Sequence, residues 1–404
     1  MTGETANCVY PVPKGWRLRT LNEIRSSEPH SCVAGPFGSE ISSKYFTDDG
    51  VPVIRGSNLR DDLTRFVPEG FAFVSETRAQ EYRPQHVQPG DLIFTCWGTL
   101  GQVGIIPKDG PYPEYIISNK ELKLRVDRTV ANPLFCFYYF GSPPYVSYIR
   151  NRGIGGAVPG INLGILKSLA IALPPIEIQD RVVGLLSTYD ELIENNRRRM
   201  TLLEDAARLL YQEWFVRLRF PGHEHSRPTN GIPEGCERVP FEDALVLQRV
   251  FDLPEREWQE GDFPICCSTG IVGFHKEAKV KGPGVFTGRS GSLGVVNYVE
   301  TDYWPHNTEL WVREFKRVTP LFALFLLREM NLKQYNGGAS VPTLDRKAVH
   351  RVPILIPPQR LIRLFDEQLG PIFSQLRNLR EQNQKLRAAR DLLLPRLMSG
   401  EIAA

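Results

Sequence analysis

Residues 94–103 read FTCWGTLGQV, and residues 286–296 read FTGRSGSLGVV, which is the same pattern with one residue inserted. Further matches follow in the same order, each pairing an early segment with a later one: 119–122 (NKEL) with 307–310 (NTEL), 155–159 (GGAVP) with 337–342 (GGASVP), and the double prolines 174–175 with 357–358. Self-similarity at a nearly constant separation is typical of a duplicated unit. The sequence therefore predicts two copies of one unit of about 180 residues.

Each copy changes character at its double proline. Before it, short β-branched and aromatic runs such as 51–54 and 91–94 are separated by Gly and Pro, a pattern typical of strands and turns. After it, Leu, Glu, Arg and Gln dominate, and these are good helix formers. We expect an α+β fold in which two similar mixed α/β domains are joined by two long helices.

The helical segments carry hydrophobic residues at alternating spacings of four and three over about four heptads, as in a coiled-coil seam. The first predicted seam is Tyr189, Ile193, Asn196, Met200, Leu203, Ala207, Leu210 and Trp214. The second is Ile372, Leu376, Leu379, Asn383, Leu386, Arg390, Leu393 and Leu397. Pro371 fits a first helical position and Gly400 a position just beyond the helix end. Two such seams most simply pair with each other, although each stripe could instead bury against its own globular part.

Composition restricts the class of protein. With 404 residues, 42% hydrophobic and 24% charged, the chain is an ordinary globular protein of two or three domains. A net charge of +3 permits local basic surfaces but does not by itself indicate a nucleic-acid partner. The seven scattered cysteines predict reduced thiols, and the sequence shows neither a signal peptide nor an apolar run of about 18 residues. We expect a cytoplasmic protein with no membrane partner.

Three fragments imitate catalytic or metal motifs. Residues 142–145 (SPPY) match a motif of amino-methyltransferases, but no Gly-rich turn for S-adenosylmethionine accompanies them. Glu114, Glu121 and Lys123 resemble a nuclease constellation, yet the second copy replaces its lysine with tryptophan. The pair at 223–225 (HEH) lacks a third metal ligand at suitable spacing. The sequence therefore predicts no catalytic residue, no bound cofactor and no metal in this chain.

Polar loops recur in both copies, and short polar side chains on loops suit the edges of bases in a DNA groove. Gly, Ser and Asn are also ordinary turn residues, so each loop could be a plain turn. The candidate DNA-binding residues are Arg55, Ser57, Asn58, Thr95, Trp97, Thr99, Arg152, Gly156, Thr287, Arg289, Ser290, Ser292, His306, Asn307, Gly338 and Ser340.

Taken together, several segments resemble the specificity subunit of type I restriction–modification enzymes. They are 35–39 (GPFGS), 50–58 (GVPVIRGSN), 89–94 (PGDLIF), 285–294 (VFTGRSGSLG), 304–308 (WPHNT) and the two helices that follow the double prolines. The resemblance covers roughly residues 10 to 400, and the order, duplication and spacing of the segments make it specific. One departure is that the first copy has Cys96-Trp97 where the second has Gly288-Arg289.

The resemblance implies a non-catalytic DNA-recognition subunit. Each globular half would be a target recognition domain that reads one half of a bipartite, asymmetric sequence in double-stranded DNA. The helices would form an antiparallel coiled coil that sets the spacing and docks two methyltransferase subunits. S-adenosylmethionine would belong to those subunits, and ATP and Mg²⁺ to partner restriction–translocase subunits.

The resemblance and the composition together predict the domain boundaries. We expect, in order, recognition domain 1 at 1–173, long helix 1 at 174–217, a linker at 218–234, recognition domain 2 at 235–356 and long helix 2 at 357–404. Two alternatives stay open at this stage. The chain could be a stand-alone DNA methyltransferase or nuclease with diverged motifs, or a coiled-coil adaptor that does not bind DNA.

Overall fold

The computed structural model describes residues 8–38, 40–153, 160–226, 232–290, 292–307, 309–338 and 341–404. The chain divides into two compact units. The first unit comprises residues 1–195 and 382–404, and the second comprises residues 196–381. Each unit thus contains one globular part and a portion of both long helices.

The first unit is built on three small sheets. Its described strands are β1 (Arg17–Thr20), β2 (Cys32–Ala34), β3 (Val51–Ile54), β4 (Ala72–Val74), β5 (Leu92–Thr95), β6 (Val103–Ile105), β7 (Ile116–Ile117), β8 (Glu121–Leu124) and β9 (Ala170–Leu173). They are ordered β2-β8-β5-β6, β4-β3-β7 and β1-β9. Its described short helices are α1 (Leu21–Ile24), α2 (Glu76–Glu81), α3 (Pro133–Gly141), α4 (Pro143–Arg150) and α5 (Leu163–Ser168).

The second unit repeats this plan strand for strand. Its described strands are β10 (Glu237–Pro240), β11 (Leu245–Arg249), β12 (Phe263–Cys267), β13 (Gly270–His275), β14 (Gly284–Gly288), β15 (Val296–Val299), β16 (Trp304–Pro305), β17 (Glu309–Phe315) and β18 (Pro353–Ile356). Their order is β11-β17-β14-β15, β13-β12-β16 and β10-β18. Its described short helices are α7 (Phe241–Ala244), α8 (Pro320–Glu329) and α9 (Arg346–His350). The predicted internal repeat of two mixed α/β domains is confirmed.

The strand pairing corrects the sequence alignment by one residue at β5 and β14. Phe94 pairs with Val103 in the first unit, and Thr287 pairs with Val296 in the second, so equivalent residues lie 193 positions apart. Because successive strand residues face opposite sides, a shift of one residue exchanges the two faces. The alignment of Phe94 with Phe286 is therefore wrong, although both residues are phenylalanine.

One apolar helix anchors each core. In α3, the residues from Phe135 to Phe140 are fully buried, and the Asn132 side chain caps the helix by accepting hydrogen bonds from the Leu134 and Phe135 amides. In α8, the residues from Phe322 to Leu327 are buried in the same way. Burying such side chains contributes roughly 1.5–3 kcal/mol each, which makes these helices the centre of each unit's stability.

The long helices are α6 (Ile176–Tyr211), continued by a π-helical turn at Gln212–Val216, and α10 (Gln359–Met398). Each begins directly after its double proline, as expected from the restriction that proline places on the preceding residue. The assignment of Pro371 to a first helical position is wrong, because α10 starts earlier and continues through this proline. None of the described helices is long and apolar enough to cross a bilayer.

The helices pack side by side in opposite directions. In the first unit, Asp190 pairs with Arg390, and the Asn383 amide donates to the carbonyl of Ile193 at 3.2 Å. As residue numbers rise along α6, the residue numbers of their partners in α10 fall. The packing is therefore antiparallel. All sixteen predicted seam positions are buried or half-buried. The predicted antiparallel helix pair is confirmed.

The alternative expectation, that the hydrophobic stripes of the long helices bury against globular parts, also holds at the outer ends of the helices. Leu186 and Leu397 belong to the core of the first unit, and Tyr211 packs against Phe322 and Phe365 in the core of the second. Each helix therefore pairs with the other helix and also completes a globular core.

Candidate nucleic-acid interface

In the first unit, four loops that are distant in sequence meet beside the sheets. The Cys96 amide donates to the Lys120 carbonyl at 2.7 Å, and the Ile161 amide donates to the Cys96 carbonyl at 3.0 Å. The Arg150 guanidinium donates to the carbonyl of Leu100 at 2.9 Å. We call this surface the first loop cluster, formed by residues 55–58, 96–102, 118–120 and the described part of 150–161.

The second unit forms the equivalent surface. The Leu344 amide donates to the Arg289 carbonyl at 2.8 Å, and Ser290 forms a β-bridge with Thr343. We call this surface the second loop cluster, formed by the described residues of 267–270, 288–294, 306–308 and 336–345. The duplication therefore extends from the sheets to the loops they support.

The candidate DNA-binding residues differ widely in exposure. The exposed ones are Ser57, Trp97, Thr99 and Asn307. The half-buried ones are Arg55, Arg152, Arg289, Ser290, Ser292, His306 and Gly338. The buried ones are Asn58, Thr95 and Thr287. Gly156 and Ser340 lie outside the described residues.

The three buried candidates serve the fold rather than a ligand. The side-chain amide of Asn58 donates to the backbone carbonyls of Val67 and Glu69 at 3.0 and 2.8 Å. The Thr95 hydroxyl donates to the Thr99 carbonyl at 2.6 Å, and the Thr287 hydroxyl donates to the Val295 carbonyl at 2.9 Å. A buried polar group needs such partners. We therefore remove Asn58, Thr95 and Thr287 from the candidate contact residues.

Three half-buried candidates are held by their neighbours. Arg55 donates to the carbonyl of Gly70 at 3.0 Å, and the Arg152 guanidinium lies 4.6 Å from the centre of the Tyr148 ring. The Gly338 amide donates to the Asn336 side chain at 3.0 Å, as in a tight turn. These contacts fix where each residue lies at the surface.

The corrected register identifies the exposed residue that differs most between the clusters. Trp97 bridges Gly160 in the first unit, as Ser290 bridges Thr343 in the second. Trp97 is 48% exposed, and a Cβ atom at Gly160 would lie 2.6 Å from its indole ring. Trp97 is therefore equivalent to Ser290, and Cys96 is equivalent to Arg289. The alignment of Cys96-Trp97 to Gly288-Arg289 from the sequence is wrong by one residue. One backbone arrangement presents an indole in the first unit and a small hydroxyl in the second.

A buried carboxyl group lies beneath each cluster. Glu121 accepts a hydrogen bond from the Ser118 hydroxyl, and its burial raises its pKa to about 7. Neither oxygen of Glu309 has a hydrogen-bond partner among the described residues, and burial raises its pKa to about 10. Protonated carboxyl groups are poor metal ligands. Within the described ranges, no group of three His, Cys, Asp or Glu residues is placed to hold a metal.

The other imitation motifs also have structural explanations. Ser142 is buried, accepts a hydrogen bond from the Tyr10 hydroxyl at 2.7 Å and precedes the first turn of α4. His223 and His225 flank Glu224 in an exposed turn, where both rings lie near its carboxylate.

One feature of the second loop cluster is visible only in the folded structure. Arg249, Arg346 and Lys347 line a cavity together with Arg289. These cations come from three separate segments, so only the fold places them together, and no sequence spacing could have revealed them.

Residues 13–205 match the family described as the type I restriction modification DNA specificity domain. The chain is 23% identical to the type I restriction enzyme MjaIX specificity subunit of Methanocaldococcus jannaschii, and the match covers 97% of this chain and 94% of that relative. It is 19% identical to the HindI specificity subunit of Haemophilus influenzae, covering 78% of this chain and 87% of that relative. Residues 13–205 therefore carry a type I restriction modification DNA specificity domain, and both of these relatives are type I specificity subunits.

The fold of this chain is also found in a solved structure. The type I restriction-modification S subunit from M. genitalium superimposes with a TM-score of 0.55 and 16% identity, covering 96% of this chain and 98% of that one. The two chains therefore share a fold.

Proposed function

We propose that this specificity subunit recognises a bipartite DNA sequence, with each loop cluster reading one half. The observation that carries the proposal is the corrected register of the two clusters. A similar backbone scaffold, duplicated within one chain, presents different side chains at equivalent surface positions, the exposed Trp97 and the half-buried Ser290. Such an arrangement suits two readers of different sequences, because specificity arises from side chains that reach base edges.

The long helices support the second part of the proposal, that the chain sets the distance between the half-sites. An α-helix rises 1.5 Å per residue, so the 36 residues of α6 span about 54 Å and the 40 residues of α10 about 60 Å. Both helices contribute side chains to both units. A change in helix length should therefore alter the spacing of the half-sites.

Methyl transfer and cleavage would be carried out by partners rather than by this chain. We propose that two methyltransferase subunits, which bind S-adenosylmethionine, dock on this subunit and that restriction subunits supply ATP- and Mg²⁺-dependent activity. Part of the surface of α6 and its π-helical continuation in the second unit is apolar, with Leu202, Leu209 and Val216 exposed at heptad spacing. Exposed apolar surface of this kind favours protein docking.

Methylome sequencing of a host that expresses this subunit with its methyltransferase tests the proposal. We expect methylation within a single motif made of two defined halves and an unspecified spacer. Replacing residues 235–356 by those of a relative should change only one half of that motif. A change in both halves, with the chain still folded, would contradict the two-reader arrangement.

Incubation of the purified chain with labelled S-adenosylmethionine and DNA tests the enzymatic alternative. We expect label transfer only when the methyltransferase is added. Transfer by the chain alone would overturn the non-catalytic assignment.

A further inference from the structure

The second unit contains an open cavity of about 310 Å³ beside its loop cluster. Four cationic side chains line it, together with Leu310, Gly337, Thr343, Leu344 and the single acidic residue Asp345; these cations are Arg249, Arg289, Arg346 and Lys347. The Asp345 carboxylate accepts hydrogen bonds from the amides of Lys347 and Ala348 at 2.9 and 3.2 Å, so it is already engaged as a helix cap. The cavity is therefore strongly cationic.

Most of these cations have no polar partner among the described residues. Within the part of the chain that the structure describes, the side chains of Arg249, Arg289 and Lys347 make no ion pair and no hydrogen bond. Arg346 donates one long hydrogen bond, 3.4 Å, to the carbonyl of Leu247. Like charges held close together repel each other, so the arrangement favours binding of an anion.

The first unit has no equivalent of this charge. Strand pairing and the loop bridges match Arg249 with Ala34 and Arg289 with Cys96. The helices α9 and α5 begin at equivalent places, which matches Arg346 with Leu163 and Lys347 with Gly164. All four cations are replaced by neutral residues. The positive charge of this cavity is thus specific to the second unit rather than part of the repeated scaffold.

We propose that this cavity binds one backbone phosphate of the DNA half-site read by the second unit. The inference rests on the proposed DNA-recognition function and assigns a role to a site within it. A phosphate carries the negative charge that several converging cations require, and guanidinium groups bind its oxygens in a forked geometry. A guanine edge is neutral and would satisfy only one arginine, leaving the other cations uncompensated.

The two units should therefore hold their half-sites differently. Contacts to phosphate position a protein on the duplex without reading its sequence. We expect the second unit to provide an electrostatic anchor for the DNA, whereas the first unit provides none at the equivalent position.

The test compares two double variants of the full chain in complex with its methyltransferase. Arg249→Ala with Arg289→Ala removes two cavity cations that have no other described partner, so the fold should be retained. Arg238→Ala with Arg256→Ala removes two exposed arginines of the same unit that do not line the cavity. Binding is measured on duplexes carrying the motif from the methylome, with a neutral methylphosphonate placed at each phosphate of the second half-site in turn.

We expect the cavity variant to bind about fivefold more weakly at 0.15 M salt, with the slope of log K against log salt reduced by about one. One methylphosphonate position should weaken the wild-type complex but should not weaken the cavity variant further. The preferred bases should stay the same, and the control variant should keep the wild-type slope and its sensitivity to that methylphosphonate.

Three results would overturn the inference. Unchanged binding by the cavity variant would show that the cations do not contact DNA, while the proposed function would stand. Relaxed specificity at one base pair, without any phosphate effect, would identify Arg249 or Arg289 as a base reader. Failure of the wild-type complex to bind any duplex would instead contradict the proposed function itself.

Discussion

At the scale of single residues, Arg390 is the one charged residue among the sixteen predicted seam positions. Its side chain is 4% exposed and lies 2.8 Å from Asp190 on the other helix. Asp190 also accepts a hydrogen bond from the Tyr138 hydroxyl at 2.6 Å, and Arg390 donates to the Asp62 carbonyl at 3.0 Å. A cation on the predicted hydrophobic stripe is thus tied to both helices and to the globular part of the first unit.

Removing the partner of this buried cation should be costly. We expect Asp190→Ala to lower the free energy of unfolding by about 3 kcal/mol, because Arg390 would stay buried with only the half-exposed carboxylate of Asp391, 2.9 Å away, as a described counter-charge. Urea unfolding monitored by circular dichroism measures the loss. Glu204→Ala is the matched control, since Glu204 pairs with Arg380 at 3.1 Å between the same two helices but at an exposed site. That change should cost less than about 1 kcal/mol, and equal costs would contradict this account.

The two buried glutamates give the stability of the protein a defined pH dependence. Folded Glu309 keeps its proton up to a pH of about 10, whereas the unfolded chain loses it above about 4.5. The unfolded state therefore binds fewer protons between these values, and stability falls as pH rises, by about 1.4 kcal/mol per pH unit for this group. We expect Glu309→Gln to be more stable than wild type at neutral pH, by a margin that still grows from pH 7 to pH 9.

Glu121 serves as the internal comparison. Its pKa is raised only to about 7, so the gain from Glu121→Gln should build up below pH 7 and then level off. Loss of the charge-assisted contact with Ser118 should also reduce that gain. Unfolding curves at several pH values would separate the two variants. Parallel pH profiles would show that the two carboxyl groups are equivalent, contrary to their different surroundings.

At the scale of elements, the hairpins β5–β6 and β14–β15 show how one backbone displays different chemistry. Gly101 and Gly294 occupy the left-handed region at equivalent positions, with φ of 95° and 85°, which favours glycine in both loops. The turn geometry is thus preserved while the displayed residues change. Specificity can therefore change by substitution at the loop surface without redesign of the sheet.

A reciprocal exchange tests this separation. We expect Trp97→Ser to alter the bases preferred in one half of the methylated motif and Ser290→Trp to alter the other half. Trp97→Ser should shift the melting temperature little, because Trp97 is partly exposed, whereas Ser290→Trp should lower it, because Thr343 carries the Cβ atom that Gly160 lacks beside the Trp97 ring. Methylome sequencing reports the motif, and circular dichroism reports the melting temperature. If both substitutions changed the same half, the pairing of loops with half-sites would be wrong.

Regular features could be predicted from the sequence, because they repeat. The duplication, the helix starts after the double prolines and the seam all depend on spacing. The strand register could not be predicted, since Phe94 and Phe286 share a residue type although they face opposite sides of their strands. The burial of Asn58 and Thr95 could not be predicted either, because a polar residue in a turn has the same sequence pattern whether it bonds the backbone or faces solvent.

At the scale of the whole molecule, the two units are not consecutive segments of the chain. The boundary between them falls after Asn195 in α6 and after Glu381 in α10. Each long helix therefore begins in the unit whose double proline precedes it and ends in the other unit. The C-terminal residues complete the core of the first unit, so both units depend on the helix pair for their cores as well as for the spacing we propose.

Lengthening both helices at this boundary tests whether they set the spacing. We propose to insert a second copy of residues 189–195 after Asn195 and a second copy of residues 375–381 after Glu381. Each insertion adds one heptad, which keeps the seam in phase and extends each helix by about 10 Å. The cores of both units keep their own residues, and the opposed insertions preserve antiparallel pairing. A heptad added to only one helix is the control, and it should destabilise the chain by placing unlike seam residues opposite each other.

We expect the doubly extended protein to methylate a motif with the same two halves and a spacer about three base pairs longer, since B-DNA rises 3.4 Å per base pair. Three base pairs also rotate one half-site by roughly 100° about the duplex axis, so the DNA must twist and affinity should fall. Methylome sequencing reads both halves and the spacer at once, and circular dichroism verifies that the variant is folded. Retention of the original spacer by the folded variant would show that the helices do not determine the distance between the half-sites.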